Sequence, residues 1–257
     1  EALRRAGAEV LVINASPDGY NINKNAGSTH PEQLQAMVKA TDAVMGVAFD
    51  GDADRCLAVD EDGNMVNGDQ IMGILARAKK EAGKLADNTL VVTVMSNLGL
   101  KLALKDMGIK TVQTAVGDRY VLEELKRNGW LFGGESSGHI LALDRQTTGD
   151  GIVSALQVLS AMRRSGRSLA ELTADLQLLP QVLVNKRIPA GYDWQNDRDF
   201  SRTVEACRTE VEGRGRVLIR PSGTEPLLRI MVEADDAYLA AELTSRMAES
   251  LSVEHQA

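Results

Sequence analysis

The sequence predicts an α/β protein with two mixed-sheet α/β domains, the first incomplete, followed by a small α+β C-terminal domain. Between residues 68 and 179, short apolar runs rich in β-branched residues alternate singly with stretches at helical spacing, which is typical of βαβ units. From Pro180 onward, pairs of apolar runs lie beside longer helical segments. We therefore expect domains at 1–67, 68–179 and 180–257.

The first of these domains is expected to be interrupted at its start. Residues 1–6 resemble the end of a helix that Gly7 terminates, and the apolar run 9–13 then predicts a strand. A long loop rich in Asn, Ser, Gly and Pro follows. Pro31 suits the first turn of a helix, which precedes a strand at 43–49 and a hairpin turn at 60–64.

The later domains follow from the same periodicities. In residues 68–179 we expect a helix from Gly68, strands at 89–95, 109–115 and 130–132, and helices at 98–107, 120–126 and 148–162. In residues 180–257 we expect strands at 182–184, 216–219 and 227–233, a helix near 194–212 and a last helix from Asp236.

Composition limits the classes of partner. Of the 257 residues, 44% are hydrophobic and 25% charged, as in ordinary globular proteins. The net charge of −7 and the aromatic content of 4% disfavour nucleic acid and anionic membranes as partners. No apolar run approaches the roughly 18 residues that span a bilayer, and two distant cysteines favour a reducing compartment. We expect a cytoplasmic protein that meets any anionic substrate through local arginines.

The acidic loop, residues 50–55, contains the alternate carboxylates Asp50, Asp52 and Asp54 between two apolar runs. Three carboxylates this close repel one another unless a cation lies among them, and hard oxygen ligands favour Mg²⁺, Ca²⁺ or Mn²⁺ over zinc. The loop therefore predicts a divalent metal site. Arg55 beside it suits a phosphorylated ligand.

Two alternatives remain for the acidic loop. An EF-hand calcium loop would place its ligands at the same spacing, with Glu61 at position 12, but it requires glycine where Arg55 stands and helices on both sides. The other alternative is a solvated acidic turn without function.

The glycine-rich loop, residues 133–139, follows a predicted strand and contains Glu135, Ser137 and His139. A carboxylate, a hydroxyl and an imidazole on a permissive backbone suit recognition of sugar hydroxyls. A tight turn whose polar groups satisfy their own backbone is the alternative.

The arginine loop, residues 220–226, combines a guanidinium with hydroxyls and a glycine amide, and Arg229 follows on the next predicted strand. The candidate ligands are Arg220, Ser222, Gly223, Thr224 and Arg229. This composition favours a phosphate-binding loop, with a purely structural turn as the alternative. Asp118 and Arg119, at a predicted helix start, form a further candidate, although Asp118 could serve only as the helix N-cap.

Taken in order, these motifs resemble those of the α-D-phosphohexomutase superfamily, and the resemblance covers nearly the whole chain. The matching segments are Asp-Gly-Asp-Ala-Asp-Arg at 50–55, Gly-Glu-Ser-Ser-Gly-His at 134–139 and Arg-Pro-Ser-Gly-Thr-Glu-Pro at 220–226. The segments at 116–120 and 147–151 look most like the bacterial phosphoglucosamine mutase branch. The phosphomannomutase/phosphoglucomutase branch is the alternative.

The resemblance implies an isomerase of amino-sugar metabolism that interconverts glucosamine 6-phosphate and glucosamine 1-phosphate through a phosphoserine and a bisphosphate intermediate, upstream of UDP-N-acetylglucosamine and peptidoglycan. It also assigns roles to the candidate residues. Asp50, Asp52 and Asp54 would hold Mg²⁺; Arg55, Asp118 and Arg119 would be catalytic; Glu135, Ser137 and His139 would bind the sugar; and Arg220, Ser222, Gly223, Thr224 and Arg229 would bind the non-reacting phosphate.

The sequence departs from this family at two places. The Ser-His-Asn-Pro motif of the phosphoserine loop is absent, so we expect the N-terminal phosphoserine domain to be missing and the isolated chain to be inactive. A non-catalytic sugar-phosphate binding module is therefore a rival interpretation. Residue 136, usually Gln or Asn in the family, is Ser136 here.

Overall fold

The computed structural model describes residues 1–189, 191–223 and 225–251. The chain divides into two compact units, residues 1–177 and 178–257. Its helices are α1 (Ala2–Arg5), α2 (Glu32–Lys39), α3 (Gly68–Glu81), α4 (Leu98–Asp106), α5 (Asp118–Asn128), α6 (Gly151–Ser165), α7 (Leu169–Thr173), α8 (Arg198–Glu210) and α9 (Ala237–Ser250). Its strands are β1 (Met45–Phe49), β2 (Cys56–Asp60), β3 (Met65–Val66), β4 (Thr89–Thr93), β5 (Lys110–Thr114), β6 (Phe132–Gly134), β7 (Ile140–Ala142), β8 (Gln181–Arg187), β9 (Gly215–Pro221) and β10 (Leu227–Ala234).

The first unit contains an antiparallel sheet in the order β1-β2-β3. Strands β1 and β2 pair from Met45 with Asp60 to Phe49 with Cys56, so the acidic loop closes a hairpin. Helix α2 packs on β1 and β2, and α6 also packs on β2. The hairpin is thus held by helices, while its loop is left to form a site.

The second sheet of this unit is mixed, in the order β5-β4-β6-β7. Strand β4 is parallel to β5 and β6, whereas β7 is antiparallel to β6. Every residue of β4 is buried, as expected for a central strand covered on both faces. Val91, Val121, Leu125 and Leu141 form one of its apolar clusters. This architecture confirms the expected α/β class.

The second unit is the small α+β fold that the sequence predicts. Its sheet is antiparallel in the order β8-β10-β9, with β10 at the centre. Helices α8 and α9 cover the sheet, and the core includes Phe200, Val204, Ile230, Leu243 and Met247. The exposed and half-buried residues of β8 alternate, as expected for a strand covered on one face.

The strand expected at 9–13 does not form. Leu11 and Val12 are 63% and 55% exposed, and the segment has no ladder partner among the described residues. A β-branched run becomes a strand only when another strand supplies hydrogen bonds to its backbone. Two helices also begin later than expected: α6 at Gly151, capped by Asp150, and α8 at Arg198, capped by Asp197.

Within the part of the chain that the structure describes, none of the helices combines the length and the apolar character needed to cross a bilayer.

Candidate functional site

The acidic loop folds back on itself between β1 and β2. Ala53 N donates to Asp50 O at 3.1 Å, and Arg55 N donates to Asp50 Oδ1 at 3.2 Å. Ala53 adopts φ 55°, a left-handed conformation that is strained for a residue with a side chain. Because the flanking elements are antiparallel strands rather than helices, the EF-hand alternative is excluded.

The three aspartates of this loop differ in environment. Asp52 is exposed, and Asp50 Oδ2 lies 3.7 Å from Arg55 Nε. Asp54 Oδ1 is buried and has no hydrogen-bond partner among the described residues. In the described part of the chain, no group of three or more His, Cys, Asp or Glu side chains is arranged to hold a metal ion. The donors nevertheless suit Mg²⁺ in kind, since all are carboxylate oxygens and one of them lacks a partner.

Cys56, directly after the acidic loop, is not a candidate ligand. Burial raises the pKa of its thiol to about 12, so the thiol stays protonated at neutral pH.

His139 joins the glycine-rich loop to the acidic loop. Its side chain is 7% exposed, and Nδ1 lies 3.0 Å from Asp54 Oδ2. On the other side of the ring, Nε2 lies 3.9 Å from Asp118 Oδ2 and has no hydrogen-bond partner among the described residues. The imidazole therefore lies between two candidate carboxylates. Sequence reasoning missed this contact because His139 and Asp54 are 85 positions apart.

Backbone hydrogen bonds fix the rest of the glycine-rich loop. Cys56 N donates to Gly138 O and Gly68 N donates to Ser136 O, both at 3.1 Å. A Cβ at Gly68 would lie 2.4 Å from Glu135 O, so α3 can begin there only with glycine. Glu135 Oε1 accepts from Gly117 N at 3.0 Å, while Ser137 is exposed. The loop is thus rigid where it is buried and leaves a hydroxyl in solvent.

The turn at 149–151 supports the same assembly and was not among the expected site residues. Gly151 N donates to Ala53 O at 2.9 Å. A Cβ at Gly149 would lie 2.5 Å from Cε1 and Nε2 of His139. The sequence signal was a pair of glycines on either side of Asp150, the N-cap of α6.

We expect Gly149→Ala to lower the melting temperature of the chain, because the new methyl group would collide with the His139 ring. Overpacking of this kind costs about 1–3 kcal/mol. Thermal unfolding followed by circular dichroism would measure the change. Gly223→Ala is the matched control, since a Cβ there meets nothing within 4 Å. Equal melting temperatures for the two variants would contradict the close approach to His139.

Asp118 and Arg119 begin α5 beside this assembly. The N-cap of α5 is Gly117, and Asp118 is its first helical residue, so the interpretation of Asp118 as the cap is wrong. The Arg119 guanidinium lies 4.5 Å from the centre of the Tyr120 ring and donates to Tyr120 Oη at 2.9 Å. Both Asp118 and Arg119 are exposed.

In the second unit, Arg220 and Arg229 face each other across β9 and β10. Both Nε atoms are buried without a hydrogen-bond partner, and neither side chain makes an ion pair within the described ranges. Burial, and then the charge of Arg229, lower the pKa of Arg220 from its ordinary value. Two adjacent cations without a carboxylate form a site that an anion would stabilise.

Ser222 of the arginine loop lies next to this pair. Arg229 Nη2 lies within 3.4 Å of Ser222 Oγ, and Ser222 N donates to Leu227 O at 2.8 Å. Gly223 is exposed. Thr224 lies outside the described residues.

Models of one family match consecutive segments of this chain. The Phosphoglucomutase/phosphomannomutase alpha/beta/alpha domain II matches residues 1–63, alpha/beta/alpha domain III matches residues 67–178, and the C-terminal domain matches residues 183–250.

Curated relatives are similar over nearly the whole chain. A phosphoglucosamine mutase of Bifidobacterium longum subsp. infantis is 65% identical over 257 residues, which are 99% of this chain and 55% of that protein. A phosphoglucosamine mutase of Clostridium perfringens is 53% identical over 249 residues, which are 96% of this chain and 56% of that protein. The chain therefore spans about half the length of these relatives.

Solved structures share the fold at lower identity. A phosphoglucomutase/phosphomannomutase family protein of Burkholderia thailandensis is 23% identical with a TM-score of 0.77, over 96% of this chain and 56% of that one. An N-acetylphosphoglucosamine mutase of Aspergillus fumigatus, in complex with GlcNAc-6P and magnesium, is 22% identical with a TM-score of 0.71. That match covers 89% of this chain and 57% of the other. Since the matched domain models follow one another along almost all of the chain, it belongs to the phosphoglucomutase/phosphomannomutase family of phosphohexomutases.

Proposed function

We propose that this chain is part of a phosphoglucosamine mutase, which interconverts glucosamine 6-phosphate and glucosamine 1-phosphate. The observation that carries the proposal is the facing pair Arg220 and Arg229. Their buried Nε atoms have no hydrogen-bond partner among the described residues, so the two cations suit a phosphate group. The amino sugar is inferred from the phosphoglucosamine mutases that are up to 65% identical over the whole chain. The proposal includes a division into three domains, at 1–67, 68–179 and 180–257. The matches to three consecutive family domains support this division.

Asp50, Asp52 and Asp54 are proposed to hold Mg²⁺. Their carboxylate oxygens are the donors that this ion prefers. A bound cation would also compensate Asp54 Oδ1, which is buried and has no hydrogen-bond partner among the described residues. When bound, the ion would neutralise negative charge on a phosphoryl group. His139 contributes by holding the other oxygen of Asp54 at 3.0 Å, which restricts the carboxylate to one orientation.

Arg55, Asp118 and Arg119 are proposed as the catalytic residues of the first unit. The Arg55 side chain is 47% exposed, and its nearest carboxylate oxygen is 3.7 Å away, so its charge remains available to a phosphoryl oxygen. Asp118 and Arg119 are also exposed, at the start of α5. Phosphoryl transfer depends mainly on positioning and electrostatic stabilisation, which these groups can supply.

Substrate recognition is proposed to use a different group in each unit. In the first unit, Glu135 would accept hydrogen bonds from sugar hydroxyls and the exposed Ser137 would donate to them. His139 would contribute Nε2, which has no hydrogen-bond partner among the described residues. In the second unit, the phosphate would be bound by Arg220, Ser222, Gly223, Thr224 and Arg229. The serine that carries the phosphoryl group would come from another part of the gene product, and the enzyme would act in the cytoplasm.

The experiment that tests this function is a substrate comparison with the gene product that contains this chain. We expect kcat/KM to be higher for glucosamine 6-phosphate than for glucose 6-phosphate or mannose 6-phosphate. A preference for mannose 6-phosphate would instead favour a phosphomannomutase. Tight binding of these sugar phosphates without any turnover would favour a non-catalytic binding module.

A further inference from the structure

A cavity of about 400 Å³ lies in the first unit between the C-terminal halves of α3 and α6. Ile74, Leu75, Ala161 and Leu172 give it a buried apolar floor. Its volume lies within the range of small-molecule pockets.

Six basic side chains line this cavity: Arg77, Lys79, Lys84, Arg145, Arg164 and Arg167. Among the residues that the structure describes, Glu81 and Asp144 are the only acidic ones that line it with them. This concentration of positive charge occurs in a chain whose net charge is −7, so it is a local feature and not the general character of the surface.

The neighbouring carboxylates leave part of this charge uncompensated. Arg77 and Arg167 both approach Asp175, at 3.1 and 3.6 Å. Lys79 and Arg145 both approach Asp144, at 2.9 and 3.5 Å. Two cations therefore share each of these acids.

Lys84 and Arg164 are the cations most available to a ligand. Both are exposed, and neither makes an ion pair with any residue in the described ranges. A ligand could therefore reach them without breaking a salt bridge.

Helix polarity explains only part of this cluster. Lys79 and Arg164 lie in the last turns of α3 and α6, where cations offset the negative end of the helix dipole. Arg145 and Arg167 lie outside both helices but line the same space. Charge from separate elements thus converges on one cavity.

This cavity is distinct from the candidate mutase site. Helices α3 and α6 both begin at the loop assembly, where Gly68 N donates to Ser136 O and Gly151 N donates to Ala53 O. Both end at the cavity, which is about 20 Å away along helices of this length.

We propose that the cavity binds a compact anion with two or more linked phosphate groups, of the nucleoside diphosphate class. Lys84, Arg145 and Arg164 would contact the phosphates, because guanidinium and ammonium groups form charge-assisted bonds with them. The apolar floor would receive the rest of the molecule. Neither the family assignment nor the proposed mutase reaction includes this site.

The test is isothermal titration of the chain with ADP and with inorganic pyrophosphate, without divalent metal. Every protein carries Arg220→Ala and Arg229→Ala, so that the arginine loop does not contribute. We expect ADP to bind, and the added pair Lys84→Glu and Arg164→Glu to raise its Kd at least about tenfold. The control is Arg163→Glu, which lies next to Arg164 but lines a different cavity; its Kd should equal that of the parent.

Four results would overturn the proposal. The first two are that neither ADP nor pyrophosphate binds at millimolar concentration, or that the Kd for ADP is unchanged in the Lys84 and Arg164 variant. The other two are that the Arg163→Glu control loses as much affinity for ADP as that variant, or that a polyglutamate peptide binds in place of ADP. If the charge-reversal variant has a lowered melting temperature, the variant Lys84→Gln with Arg164→Gln takes its place in the titration. The same rise in the Kd for ADP is expected.

Discussion

Arg220→Ala is expected to raise the KM of the gene product for both glucosamine 6-phosphate and glucosamine 1-phosphate about 10- to 100-fold. Hydrogen bonds to charged groups contribute about 1.5–3 kcal/mol, which corresponds to this range. The fold should survive, because Arg220 makes no ion pair among the described residues and its removal relieves repulsion with Arg229. Steady-state kinetics and thermal unfolding would measure the two quantities.

Arg214→Ala is the matched control for this experiment. Arg214 lies next to the start of β9, the strand that carries Arg220, and donates to Asp235 at 2.8 Å in an exposed salt bridge. Its loss should leave KM unchanged. If Arg220→Ala behaved like Arg214→Ala in a folded enzyme, the phosphate-binding role of the arginine loop would have to be abandoned.

Asp54→Asn is expected to lower kcat about 100- to 1000-fold, the range that follows loss of one preorganised electrostatic contact. The amide has nearly the same size but removes a negative charge from the proposed Mg²⁺ site. Because the other carboxylate oxygen of Asp54 lies 3.0 Å from His139, the substitution should also loosen the orientation of the ring. Measurement of kcat at saturating substrate and Mg²⁺ would test the effect, with calorimetric titration of Mg²⁺ as a second readout.

Asp62→Asn provides the control for charge alone. Asp62 is exposed in the turn between β2 and β3, and it follows the acidic loop by only a few positions. We expect this variant to retain both kcat and the affinity for Mg²⁺. Equal kcat values for Asp54→Asn and Asp62→Asn would contradict the assignment of Asp54 to the metal site.

Most of the elements that could be predicted from the sequence show a clear apolar pattern over several residues. The acidic loop was placed between two strands because apolar runs flank it directly, and β1 and β2 confirm this hairpin. The prediction of a strand at 9–13 was wrong because a strand also needs a pairing partner elsewhere in the chain, which residue composition does not reveal. Strand β7 was missed because three residues, Ile140–Ala142, are too short to show a period.

In the candidate site, too, the features visible in one stretch of sequence were predicted, and the contacts between distant segments were not. Each loop was found from its own residues, since carboxylates, glycines and arginines reveal their chemistry at short range. The contact of His139 with Asp54 and the approach of Gly149 to the His139 ring join segments distant in sequence, so no local pattern contained them. The register that sets Arg220 opposite Arg229 likewise follows from strand pairing.

The most direct test of the central claim is a crystal structure of the gene product with glucosamine 6-phosphate bound. We expect phosphate oxygens about 2.7–3.2 Å from the guanidinium nitrogens of Arg220 and Arg229, which would satisfy the Nε atoms that have no partner within the described ranges. A well-ordered sugar phosphate whose phosphate contacts neither arginine, with both Nε atoms still unpartnered, would contradict it.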